Sequence, residues 1–332
     1  MKRSIVFSFL ALTAISVTIW LVTRPPAVDK GTKSIAIVSI VKIEPITQLE
    51  DGFKQTILAS DFAKSTPIIF TYENAQGDAS LQNLIVDKII RKRPSLVYVL
   101  GTPIAIAIQK RDPNLIIVQG AATDPIDAGL ANSWNGSGRN YAATTDLPPV
   151  AIQMDLIREL IPKITSLGLI YNAGEANSVA VVRRIREYIL NQKLSLKLEE
   201  RGVANSSEIA TAVASLNSKV QAIYIPPDNT VHAGLRVVCK VASEIRIPVF
   251  TSVESSIDDG ALAALALDYF KLGEQSAKIA LRILQDQQKA GDIPIAPIDS
   301  PKIVINQRVA NDLNIDLTTV SQRTNIEIRK KK

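Results

Sequence analysis

The sequence predicts an α/β fold built on two parallel sheets. From Lys33 onward, short β-branched apolar runs alternate with amphipathic helical stretches, the pattern of repeated βαβ units with right-handed crossovers. More such runs are present than one small open sheet uses. Residues 134–149, carrying Gly136, Gly138, Pro148 and Pro149, break the alternation as a passage between two sheets would.

Residues 34–41 are nearly all apolar, as expected of a parallel strand covered on both faces. The same holds for 67–72, 96–100, 115–119, 167–171, 222–225, 248–251, 262–267 and 302–305. Between them, Leu81, Leu84, Ile85 and Ile89 share one helical face, as do Val179, Val182, Ile185 and Ile189. No heptad, solenoid repeat or low-complexity tract appears. The chain of 332 residues is long enough for two domains. Aromatic residues are only 5%, so the cores must be aliphatic.

Charge and the N-terminus bound the setting. The net charge of +6 gathers at the tails, in Lys2 and Arg3 and in Arg329 to Lys332, with no aromatic-interleaved stripe. It reads as a solvated basic tail, not a nucleic-acid surface. After Lys2 and Arg3 comes an uncharged run over 5–22, between the length of a signal-peptide core and that of a membrane span. Arg24, Pro25, Pro26 and Ala27 offer no convincing cleavage site. An uncleaved anchor and a cleaved signal both place the remainder across the membrane. The single cysteine, Cys239, lies among Val237, Val238 and Val241 and reads as a buried, inert thiol.

Ligands of open parallel sheets bind beyond the carboxyl ends of the strands. There the chain carries Thr102, Thr123 with Asp124, Asn172 with Glu175, Asn177 and Ser178, then Asp228 with Asn229, Ser252 with Glu254, and Asp268. Thr102 reads as a helix cap with Pro103 as first helical residue. Helix starts suit an anion, and Asp124, Glu175, Asp228 and Asp268 suit an ammonium, so both poles of a zwitterion are provided for. The plain alternative is that these residues only cap helices. The catalytic inventory is poor. His232 is the only histidine, on a helix, and reads as a surface or partner-satisfied side chain. No multi-ligand metal site, nucleophile elbow or phosphate loop is present, so neither cofactor nor catalytic residue is assigned.

At this point the chain resembles the ABC-transporter substrate-binding proteins of the tryptophan/tyrosine-transport type. The stretches that carry the likeness begin with Tyr72-Glu73-Asn74-Ala75-Gln76-Gly77-Asp78, Gly101-Thr102-Pro103 and Thr123-Asp124-Pro125. They continue with Tyr171-Asn172, Glu175-Ala176-Asn177-Ser178, Pro227-Asp228-Asn229-Thr230-Val231, and Asp268-Tyr269 with Leu272-Gly273. The resemblance implies the type I periplasmic-binding fold: two doubly wound lobes joined by a three-crossing hinge that closes on an amino acid or related metabolite. It implies cleft residues at Thr102, Thr123, Asp124, Asn172, Glu175, Asn177, Ser178, Asp228, Asn229 and Asp268.

On this basis residues 1–30 are a signal or anchor. Residues 33–143 with 268–296 form the N-terminal lobe, 144–267 with 297–320 the C-terminal lobe, and 321–332 a basic tail. The expected partners are a small-molecule ligand and an ABC permease, with the chain monomeric on the outer face of the cytoplasmic membrane. Two departures stand out. Ile43-Glu44-Pro45-Ile46 replaces a His-Pro-Ala-Leu stretch that commonly lines the cleft, which counts against an aromatic ligand. No lipobox cysteine is present. A membrane-tethered sensor of the same fold is the first alternative, and an enzyme using the cleft carboxylates the second.

Overall fold

In the computed structural model, residues 31–295 and 301–330 are described. The segment read as signal or anchor lies outside them. The first sheet collects β1 (Lys33–Ser39), β2 (Ile68–Asn74), β3 (Leu96–Leu100), β4 (Ile117–Gln119) and β5 (Tyr141–Ala143), in the order β2-β1-β3-β4-β5 and all parallel. Helices α1 (Glu44–Ala59), α2 (Asp61–Ser65), α3 (Ala79–Lys92) and α4 (Thr102–Arg111) connect its strands. The second sheet is fed by α5 (Val150–Leu160), β6 (Ser166–Tyr171), α6 (Ala176–Asn191), β7 (Lys197–Gly202), α7 (Ile209–Ala214) and β8 (Ala222–Tyr224). Then follow α8 (Asn229–Ala233), α9 (Leu235–Glu244), β9 (Val249–Thr251), α10 (Ser256–Asp259) and β10 (Ala263–Ala266). Helix α11 (Tyr269–Leu284), β11 (Lys302–Asn306), α12 (Gln307–Leu313) and β12 (Ile326–Arg329) complete the chain. The second sheet runs β12-β11-β10-β9-β8-β6-β7.

Each sheet has its own aliphatic core. Ile35, Phe53, Ile89 and Val99 pack with Leu272, Ala280 and Ile293, so α11 belongs to the first lobe although it follows the second in sequence. Separate clusters cover the two faces of the second sheet, one around Ile223, Val238 and Val304, the other around Leu169, Val182 and Phe250. The chain therefore passes between lobes at 144–149 and at 267–268. It passes a third time between Ile295, whose N–H bonds Trp134 O in the first lobe, and Lys302 in the second sheet.

The second sheet is not wholly parallel: β11 pairs antiparallel with β10. The chain leaves β10 into the other lobe, so no local βαβ crossover dictates the direction of its return. The passage at 134–149 contains the short strand β5, paired to β4. Residues 326–329 are an edge strand paired to β11 rather than a solvated tail, with Arg329 ion-paired to Glu254 and Glu327.

Helices α1 and α11 approach closely through glycine. A β-carbon on Gly52 would lie 2.2 Å from Phe270 O, and one on Gly273 would lie 2.3 Å from Leu49 O. Beneath them Phe53 stacks on Tyr98 at 3.7 Å between ring centroids. Cys239 is 2% exposed, and burial pushes its thiol up to about 12, as an inert core residue requires.

Candidate functional site

The carboxyl ends of the two sheets face each other across a cavity of about 50 Å³. Ile43, Pro45, Ile46, Leu49 and Leu100 form its apolar wall. Thr102, Thr123, Asp146, Asn177, Asp228, Asn229, His232 and Tyr269 supply polar groups, and no lysine or arginine lines it.

The first lobe presents Thr102 by an unexpected route. The cap of α4 is Gly101, at φ 133°, and Thr102 is the first helical residue. Gly101 is required twice over, since a β-carbon there would also stand 2.6 Å from Ile40 Cγ2. Thr102 Oγ1 accepts from Gln119 Nε2 at 3.0 Å, which leaves its own proton available. Gln119 is held in turn by the Tyr141 hydroxyl at 2.8 Å. Thr123 donates at 2.8 Å to Asp146 Oδ1, and the Tyr269 hydroxyl reaches Asp146 Oδ2 at 3.2 Å. Burial raises the Asp146 carboxyl to about 6 against those two hydrogen bonds, which favour the charged form.

The second lobe presents a rigid polar platform. Glu175, 4% exposed, caps no helix of its own. Its carboxylate instead accepts from Asn229 N (2.9 Å), Asn229 Nδ2 (2.6 Å), Thr230 N (3.0 Å) and Thr230 Oγ1 (2.7 Å), fixing the start of α8. Asp228 does two jobs. It caps α8 by accepting from Val231 N at 2.8 Å, and it accepts from Asn172 N at 2.6 Å, while its carboxylate borders the cavity. Burial, and then the nearby Glu175 carboxylate, hold its pKa above the ordinary carboxylate range. Asn177 spends both amide hydrogens, on Glu175 Oε2 (3.2 Å) and Pro227 O (2.9 Å). Its Oδ1 is buried without a partner. His232 is half-buried overall, but its Nε2 is also buried without a partner. It is therefore neither a free surface histidine nor one satisfied by the protein, and burial lowers its imidazole to about 4.

Of the residues singled out from sequence, Thr102, Thr123, Asn177, Asp228 and Asn229 line the cavity. Asn172, Glu175 and Ser178 stand behind it. Asn172 Nδ2 donates to Thr230 Oγ1 at 2.9 Å, and the Ser178 hydroxyl donates to Asn172 O at 3.0 Å. Asp124 and Asp268 are elsewhere. Asp124 pairs with Arg184 of α6 at 2.5 Å, and neighbouring Asp127 pairs with Arg183, so two ion pairs tie the lobes together. Asp268 caps α11 through Lys271 N at 3.0 Å with its side chain 49% exposed. Sequence reasoning missed Asp146, His232 and Tyr269. Asp146 and Tyr269 lie on or beside interlobe crossings, and a crossing necessarily floors the cleft, so a polar side chain there was a usable signal. Among the described residues no group of three or more His, Cys, Asp or Glu side chains is placed to hold a metal.

Two α/β lobes closing a polar-lined cavity define a solute-binding protein. The chain belongs to the family described as ABC transporter substrate binding protein, whose model matches residues 34–324. It is 32% identical over 287 residues to the tyrosine-binding protein of Clostridioides difficile, covering 86% of this chain and 82% of that one. Among solved structures it is similar to an ABC domain from Streptococcus pneumonia in complex with L-Trp. The TM-score is 0.82 at 25% identity, over 89% of this chain and all of that one (100%). The ligand-free, open structure of a Clostridium difficile substrate-binding protein with adhesive properties gives a TM-score of 0.66 at 28% identity, over 91% of this chain and 100% of that one. The lobes here thus match the ligand-bound relative better than the open one, although the open one is slightly nearer in sequence.

The protein is accordingly a solute-binding protein of an ABC transporter that takes a small ligand in the cleft. Proteins of this family act outside the cytoplasm and serve a membrane permease. Among the described residues no helix is long and apolar enough to cross a membrane.

Proposed function

We propose that the ligand is a zwitterionic amino acid, held with its ammonium toward the second lobe and its carboxylate toward the first. The observation that carries this is the division of the cavity. The second-lobe wall offers Asp228 and the unpartnered Asn177 Oδ1, both acceptors. The first-lobe wall offers the Thr102 hydroxyl at the start of the ten-residue helix α4, and its Asp146 carboxyl is already engaged by Thr123 and Tyr269. The apolar wall from Ile43 to Leu100 takes the side chain. The names of the relatives, one binding tyrosine and one solved with tryptophan, support an aromatic amino acid despite the Ile43 replacement. The chain acts by delivery, not chemistry: it carries the ligand to its permease, held at the membrane by the apolar N-terminal run. Its site residues are Thr102, Thr123, Asp146, Asn177, Asp228, Asn229 and Tyr269. Asn172, Glu175 and Ser178 support them from behind.

The test is calorimetry with L-tyrosine and L-tryptophan beside their deaminated counterparts. Asp228→Asn removes the charge, and it should weaken the amino acids by about 10- to 150-fold, the loss of one charge-assisted hydrogen bond in a closed site. The deaminated acids should be little affected. An asparagine cannot accept from both Val231 N and Asn172 N through one oxygen, so some stability is lost either way. The discriminating quantity is the ratio between the two ligand sets. Equal losses in both would remove the ammonium from Asp228, and no binding by the unaltered chain would dismiss the amino-acid reading.

A further inference from the structure

His232 is the one cavity-lining group that neither the helix caps nor the amino-acid reading has used. It sits on α8, whose first turn is locked by Glu175 and Asp228, so its position is set by the platform rather than by a mobile loop. Its Nε2 is buried and unpartnered, as is Asn177 Oδ1. A buried polar atom left unpaired is costly and calls for a partner, and these two belong to side chains that line the cavity. Both donors of the Asn177 amide are already engaged, so only its oxygen can face the cavity. Asp228 accepts one backbone bond on each oxygen and retains lone pairs. Around these acceptors the lining is free of lysine and arginine.

We propose that His232 Nε2, Asn177 Oδ1 and the Asp228 carboxylate form a three-acceptor seat for a primary ammonium, making His232 a ligand-contacting and specificity-determining residue. This rests on the amino-acid reading of the cleft. A primary ammonium carries three N–H donors, one for each acceptor. A secondary amine lacks one donor and brings a substituent against the acceptor wall. The imidazole serves in its neutral form, with the proton on Nδ1 and a bare lone pair on Nε2. Its depressed pKa keeps that lone pair available throughout the physiological range.

The experiment uses the full chain, untagged and in detergent, with L-tyrosine, N-methyl-L-tyrosine and 3-(4-hydroxyphenyl)propanoate as probes. Unaltered protein should bind L-tyrosine at least about 10-fold more tightly than the N-methyl compound. His232→Leu should weaken L-tyrosine by about 10-fold or more and leave the deaminated acid unchanged. His232→Gln, whose Oε1 reaches the place of Nε2, should recover most of the loss. Because His232 is the only histidine, its imidazole nitrogens can also be read directly by NMR in the unaltered chain. Nε2 should be unprotonated and should shift when L-tyrosine binds. A proton on Nε2 in the complex, or equal effects of His232→Leu on both probes, overturns the seat while leaving the amino-acid reading standing. If the unaltered chain binds neither L-tyrosine nor L-tryptophan, that reading fails and the seat fails with it.

Discussion

Asp146 is a buried carboxyl at the first interlobe crossing, and its ionisation is linked to folding. Its pKa rises from 3.8 to about 6 on folding because burial disfavours the charged form. The folded state therefore binds a proton that the unfolded state releases between those values. The stability this group contributes is full below about pH 3.8 and is lost as pH rises through about 6, amounting to roughly 3 kcal/mol. His232, lowered by burial, acts with the opposite sign over an overlapping range, so the whole-protein profile alone is ambiguous. Ligand-free Asp146→Asn resolves it: relative to this variant, the unaltered chain should lose melting temperature between pH 4 and pH 7. A parallel pair of profiles would show that Asp146 is not buried as described. The same residue marks the limit of what sequence shows about the site. Reading the residues after each strand reaches Thr102, Thr123, Asn177, Asp228 and Asn229, because helix starts at strand ends recur by topology. It does not separate an acid facing the cavity from one that caps a helix in solvent, as Asp268 does, or from one paired across the lobes, as Asp124 is. That distinction depends on which way α6 and α11 lean, a tertiary fact.

Among the elements, α1 and α11 are joined by the tightest contact. At Gly273 a methyl group would meet Leu49 O at 2.3 Å and Phe53 N at 2.9 Å, both backbone atoms that cannot swing aside. Gly273→Ala should cost about 1–3 kcal/mol through overpacking, more than the alanine gains in helix propensity. Thermal melting should fall by several degrees, and an unchanged melting temperature would mean that the two helices sit further apart. The helical faces show how approximate periodicity is. Leu84, predicted to face the core, is 66% exposed, and Val86 is buried in its place. Likewise Val179 is 37% exposed while Val181 is buried. Strands buried on both faces were legible as apolar runs. The three that were not, β5, β7 and β12, all lie at sheet edges. β5 is only three residues long, and β7 and β12 carry charged side chains that a central strand would exclude. The antiparallel entry of β11 left no mark in its composition, since a strand covered on both faces looks the same in either direction.

Larger still in reach, the Arg184–Asp124 and Arg183–Asp127 pairs join one lobe to the other. Asp124 is 2% exposed and Arg184 37%, so the pair is half shielded from water. Arg184→Ala leaves the carboxylate buried in the closed arrangement and should weaken ligand binding by about 1–3 kcal/mol, or about 5- to 150-fold. Small-angle scattering should show ligand shrinking the unaltered chain, and the variant should need more ligand to reach the same radius. Identical titrations would assign the pairs to static packing. The chain's route between lobes, first to second, back to first and again to second, also governs its birth. Protein emerges from the ribosome N-terminus first, yet Gly52 on α1 waits for Gly273 on α11, which lies in the last fifth of the chain. Strand β10 likewise waits for β11. A nascent chain therefore lacks part of the packing of each lobe until α11 and β11 have been made, and the two lobes become complete nearly together.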